Sequence, residues 1–175
     1  MQLRNYFEEG LTVDAFEELL SDDQAKLHSL HERRATIVDA DIEAVKASDA
    51  HFVLVITEPW CGDSLAIFPV VSSLFRAASC EIRVAQRDLH PELIDQYLTN
   101  GGRAIPIVVV LDEAHEQILR WGPRPAPAQE IVEDRRDDVK AGRVDKAEVH
   151  KQVRAFYSGD NGRTIVAELI EGLAS

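Results

Sequence analysis

The sequence is poor in sulfur: it holds two cysteines and one methionine in 175 residues. Two cysteines cannot staple a disulfide-dependent scaffold, so the fold must come from a hydrophobic core. Hydrophobic residues make up 45% of the chain and supply one, and the length suits a single domain spanning 1–175. Positive charge is also scarce. Nineteen Lys and Arg face thirty-one Asp and Glu, a net charge of −12. Such a surface repels phosphate backbones and anionic lipids, so neither nucleic acid nor a membrane is an expected partner. No apolar run reaches the roughly 18–20 residues of a spanning helix. The longest, HFVLVIT and IPIVVVL, have strand length. The opening MQLRNYFEEG lacks the apolar centre of a signal peptide, and the expected location is cytoplasmic. In that reducing compartment Cys61 and Cys80 are expected to stay unjoined. A phosphate-binding glycine loop, a Ser-His-Asp arrangement and paired metal ligands are all missing, so no metal and no cofactor is expected. His28 and His31 are spaced i, i+3 but have no second half-site, and they read as a solvated helix face.

The apolar spacing then orders the chain. Residues 11–47 recur at helical intervals, with a break and N-cap at Ser21-Asp22-Asp23 and a bend near Thr36–Asp41. His51–Thr57 is a β-branched run apolar on both faces, hence a buried strand. A helix starts near Cys61, carries Pro69 inside it and ends before Cys80. Glu81–Arg87 reads as a strand. The segment PELIDQYLTN reads as a helix stopped by Gly101-Gly102. Pro106–Leu111 and Glu116–Trp121 read as an antiparallel pair around a turn at Asp112–His115. WGPRPAP is a rigid proline-rich bend, and helices are expected at about 127–141, 145–157 and 162–173. The charge run EDRRDD at 133–138 reads as a solvated face. Helices interleaved with strands and closed by a hairpin imply an α/β protein with a mixed sheet covered on both faces.

That order, with Trp60-Cys61-Gly62 at the first strand-to-helix turn, resembles the thioredoxin fold. RAIPIVVVLD at 103–112 is the second match. The resemblance implies that Ile105-Pro106 is the cis-proline pair facing the redox loop, where it forms a groove for an extended peptide or a glutathione backbone. The likeness covers about 45–122, with one late helix as the closing helix of the fold and helical extensions at both ends. The chain is also similar to a bacterial group of thioredoxin-like proteins of poorly defined role. That group pairs a WCGD loop with a WGPRP segment after the hairpin, as Trp60–Asp63 and Trp121–Pro125 do here.

The resemblance makes Cys61 the nucleophile and Trp60, Gly62, Asp63 and Ser64 the residues that shape its loop. A helix N-terminus favours the thiolate and would bring its pKa toward about 7. Gly62 lets backbone approach closely, and Trp60 offers an apolar wall. The Ser64 hydroxyl, on the same helical face, is placed to hydrogen-bond the sulfur. Asp63 either caps the helix or opposes the thiolate. Ser64 stands where a dithiol loop has its second cysteine, so internal resolution is absent. The implied activity is monothiol thiol–disulfide exchange with protein or low-molecular-weight disulfides, completed by an external thiol such as glutathione. The alternatives are a redox-inactive module that binds peptide or protein in the same groove, and a glutathione-dependent iron–sulfur site like that of CGFS glutaredoxins.

Overall fold

In the computed structural model, which describes residues 2–175, four helices precede the first strand. They are α1 (Leu3–Glu9), α2 (Val13–Glu17), α3 (Asp22–Arg34) and α4 (Asp39–Lys46). Local capping sets their starts. Thr12 accepts from the Ala15 N–H ahead of α2, and Ser21 and Gln24 cap α3 reciprocally. There follow β1 (Phe52–Thr57), α5 (Gly62–Ala77), β2 (Glu81–Gln86), α6 (Pro91–Ile94), β3 (Ile107–Leu111) and β4 (Gln117–Trp121). The chain closes with α7 (Ala126–Asp134), α8 (Arg136–Lys140), α9 (Lys146–Asp160) and α10 (Arg163–Leu173). No described helix is long and apolar enough to cross a membrane.

The strands form one sheet in the order β2-β1-β3-β4, with β1 parallel to β2 and antiparallel to β3, and β4 antiparallel to β3. Strand side chains alternate between two faces, and each face finds its own cover. Val53, Val55, Val84, Val108 and Val110 pack with α5 and the late helices, through Phe68, Val71, Phe75, Val166 and Leu169. Leu54, Ile56, Ile107, Val109 and Leu111 pack with Tyr6 and Phe7 of α1 and with Leu93 and Ile94 of α6. The expected α/β class and mixed sheet with helices on both sides and at both ends are therefore present. An ion pair fixes one extension to another. The Arg163 guanidinium grips the buried Asp41 carboxylate through both Nη atoms and holds its pKa below the usual carboxylate range, joining α10 to α4.

Several boundaries differ from expectation. Helix α1 lies ahead of the expected helical region, and its Tyr6 and Phe7 cover the sheet face opposite α5. Helix α6 ends at Ile94, not at Gly101. The chain there breaks into tight turns so that Tyr97 can bury, and Thr99 and Gly102 pair through their backbones. The stretch 127–141 is two helices, α7 and α8, which share Arg135 (φ −100°, ψ −2°) as a turn within the exposed charge run. His28 is not on a solvated face. It is buried at 4% exposure, with Nε2 3.1 Å from Glu17 Oε1 and its ring edge on Phe68.

The exit from β4 is constrained where it passes Pro106. Gly122 has φ +110°, and a Cβ there would collide with the Pro106 carbonyl oxygen. Gly122→Ala is expected to lose at least about 1–3 kcal/mol, read as a fall in the urea midpoint. Gly142, at φ +70° with open space around it, is the control. Equal losses for Gly122→Ala and Gly142→Ala would show that the collision is not the constraint.

Candidate functional site

β1 ends at Thr57, and the chain reaches α5 through a short turn closed by the Cys61 N–H on the Glu58 carbonyl, 3.2 Å. Three side chains, Glu58, Thr57 and Ser64, fix this turn. The buried Glu58 carboxylate accepts from the Asp88 N–H at 2.8 Å and from Gln86 Nε2 at 3.3 Å, which ties the loop to the end of β2. On the other side, Thr57 Oγ1 and Ser64 Oγ share a buried hydrogen bond of 2.5 Å.

Cys61 is the N-cap residue of α5. Its thiol donates to the Ile105 carbonyl at 3.5 Å, and the Ile105–Pro106 peptide is cis. The sulfur is sequestered: Cys61 is only 7% exposed, packed with the α1 and α6 side of the core. Burial pushes its pKa up to about 11. The backbone N–H groups of Ser64 and Asp63 pull the other way, as does the Arg124 charge, while the Asp63 charge adds to the rise. The expected fall toward 7 is thus reversed, because desolvation outweighs the helix N-terminus.

Asp63 is the centre of a second network. Its Oδ2 accepts from Arg124 Nε at 2.9 Å and pairs with Nη2 at 2.7 Å, and its Oδ1 accepts from the Tyr157 hydroxyl at 2.8 Å. The Asp63 and Arg124 side chains are only 16% and 17% exposed. Arg124 also donates to Gln129 Oε1. Burial, then the adjoining Asp63 carboxylate, raise the Tyr157 pKa, so the phenol stays a donor. Beside this cluster lies a cavity of about 120 Å³, bordered by Gly62, Asp63, Arg124, His150, Arg154 and Tyr157.

Each residue read from sequence has a definite place. Cys61, Ile105 and Pro106 come together as expected. Ser64 does not give its hydroxyl to the sulfur. Thr57 holds that hydroxyl, and the Ser64 backbone N–H only tempers the rise in the Cys61 pKa. Gly62 is not at a close backbone approach, since a Cβ there would meet nothing within 4 Å. Trp60 is 54% exposed, with the Arg87 guanidinium 4.7 Å from its ring centroid. Asp63 provides no helix-capping bond and is committed to Arg124 and Tyr157. WGPRP does two jobs. Trp121 Nε1 donates to Glu168 on α10, and Arg124 turns to the loop. Cys80 is free, hydrogen-bonded to the Ala50 carbonyl beyond the other end of α5. Sequence reasoning missed Tyr157. Its one signal was the apolar stripe Val149, Val153, Tyr157 on α9, which marks burial and not a partner.

A protein-family model described as thioredoxin matches residues 10–140. No curated protein matches the chain. Among solved structures, a protein of unknown function from Pseudomonas aeruginosa is 18% identical, with a TM-score of 0.74 over 99% of this chain and 98% of that one. An HIV epitope-scaffold is 16% identical, with a TM-score of 0.73 and the same coverage of both chains. Identities this low carry the fold alone.

The charges around Cys61 give opposite expectations for two variants. Asp63→Asn removes a nearby negative charge and should lower the Cys61 pKa, whereas Arg124→Gln should raise it. The pH dependence of iodoacetamide alkylation, followed by mass spectrometry, reads both. A shift of the same sign in the two variants would contradict this electrostatic assignment.

Proposed function

The chain belongs to the thioredoxin family, and we propose that within it this protein is a monothiol that captures disulfides as long-lived mixed disulfides, which an outside thiol then releases. One observation carries the reading: the Cys61 sulfur stands at the N-terminus of α5 against the Ile105 carbonyl, with Ser64 where a resolving cysteine would be and Cys80 at the far end of the helix. Helix α5 has 16 residues, so it separates the two sulfurs by about 24 Å at 1.5 Å per residue.

The steps balance without a second protein cysteine. Cys61 loses its proton to solvent, and its thiolate attacks one sulfur of R–S–S–R′. The S–S bond breaks, Cys61–S–S–R forms, and R′–S⁻ leaves and takes up a proton. An external thiolate such as glutathione later attacks the R sulfur and expels Cys61 as thiolate, which is reprotonated. A thiol with a pKa of about 11 is scarcely ionised at neutral pH, so capture is slow. The same basicity makes Cys61 a poor leaving group, so the adduct persists. Slow capture with slow release suits retention of a partner better than rapid turnover.

A second reading is favoured by the 7% exposure of Cys61. In it the groove beside Ile105 holds an extended peptide or protein segment and the sulfur is spectator. Cys61→Ala separates the two, since retention of a partner then survives without any disulfide.

Ser64→Cys tests the main reading. It places a second sulfur one helical turn from Cys61, so the 2-hydroxyethyl disulfide adduct, long-lived in the native chain, should collapse into an internal disulfide. Intact-mass time courses after a pulse of the disulfide measure both species. A native adduct that decays as fast as that of the variant, with no external thiol present, would refute the monothiol capture scheme. So would failure of the native chain to form any adduct.

A further inference from the structure

The cavity beside Gly62 is not used by the exchange steps, and its lining has a distinct charge pattern. Arg124 and Arg154 contribute two guanidinium charges, and Asp63 contributes one carboxylate. Asp63 is already committed, both its oxygens being occupied by Arg124 and Tyr157. Arg124 keeps further N–H donors on its fork beyond those used by Asp63 and Gln129. Arg154 has no ion-pair partner among the described residues. The surplus is one positive charge, on a chain whose net charge is −12. Val132 and Val153 give the remaining lining an apolar surface. Burial, Lys146, Arg124 and Arg154 all lower the His150 pKa against the opposing pull of Asp63, so His150 faces the space as a neutral imidazole near neutral pH.

We propose that this cavity binds the carboxylate of a short-chain organic monoanion, with its charge between Arg124 and Arg154 and its carbon chain along Val132 and Val153. One surplus positive charge matches one negative charge. A phosphate dianion would leave one charge uncompensated in a partly enclosed space, which is costly. An amine would meet two guanidinium groups. The volume of about 120 Å³ suits a ligand of a few carbon atoms and excludes a peptide. Binding here needs no reaction at Cys61, so it goes beyond the exchange reading and stands or falls separately.

The test uses the full chain at pH 7.5 and fixed ionic strength. Sodium butyrate, inorganic phosphate and n-butylamine are titrated in parallel while the His150 ring resonances are followed by NMR. Butyrate should give a saturable shift, with phosphate and butylamine at least about tenfold weaker. Arg154→Gln should weaken butyrate about tenfold, as loss of a charge-assisted hydrogen bond does. Arg154→Lys should recover part of that loss. Because Arg154 is exposed, neither change removes core packing. Absence of a saturable butyrate shift, phosphate binding as tight as butyrate, or unchanged affinity in Arg154→Gln would each overturn the proposal.

Discussion

The carboxylate of Asp63 accepts hydrogen bonds from the Arg124 guanidinium and the Tyr157 phenol, and three distant segments meet on it. One is the loop that presents Cys61, the second is the proline-rich turn after the hairpin, and the third is helix α9. A carboxylate this sheltered needs a paired charge and satisfied lone pairs to be tolerated. Arg124 provides the charge in a forked geometry that lysine lacks. Tyr157 can provide its bond because the late helices return to the sheet and bury it. The C-terminal extension is therefore part of the site and not an appendage. Trp121 and Glu168 anchor the same turn to α10, which fixes where Arg124 projects.

The sulfur shows how one fold position can be tuned against its usual tendency. A helix N-terminus offers N–H groups that favour a thiolate, and those of Ser64 and Asp63 pull the Cys61 pKa down. Burial against the α1 and α6 side of the core opposes them and dominates. Helix α1 covers the same face of the sheet through Tyr6 and Phe7 and belongs to the core cluster that includes Cys61. The outcome is a guarded thiol with few thiolates at neutral pH, a strong nucleophile once ionised and a slow leaving group. Ser64 carries no sulfur and Cys80 lies beyond the far end of α5, so the described residues hold no second thiol near Cys61.

Much of the fold was legible because its signals are local. β-branched runs gave the strands β1 and β3, the Ser21 cap gave α3, and WCG with Ile-Pro gave the family resemblance. Boundaries failed where tertiary contacts overrode local pattern: Tyr97 is drawn into the core and cuts α6 short, and α1 is held by the sheet face it covers. At the site, Cys61, Ile105 and Pro106 could be placed from sequence. The role of Asp63 could not, since its partners lie 61 and 94 residues away and no local rule joins them. The fate of the Ser64 hydroxyl was equally hidden, because Thr57 competes for it only once β1 and α5 are packed. Nor does the sequence reveal that burial would outweigh the helix terminus at Cys61.

The Asp63 network joins the Cys61 loop to the C-terminal half of the chain. A double-mutant cycle of Asp63→Ala and Arg124→Ala, measured by equilibrium urea unfolding, tests it most directly. The pair is predicted to be coupled by about 1–3 kcal/mol, with the double variant losing clearly less than the two single losses combined. Additive losses, within about 0.3–0.5 kcal/mol, would mean that the two side chains act independently, and the account would be wrong.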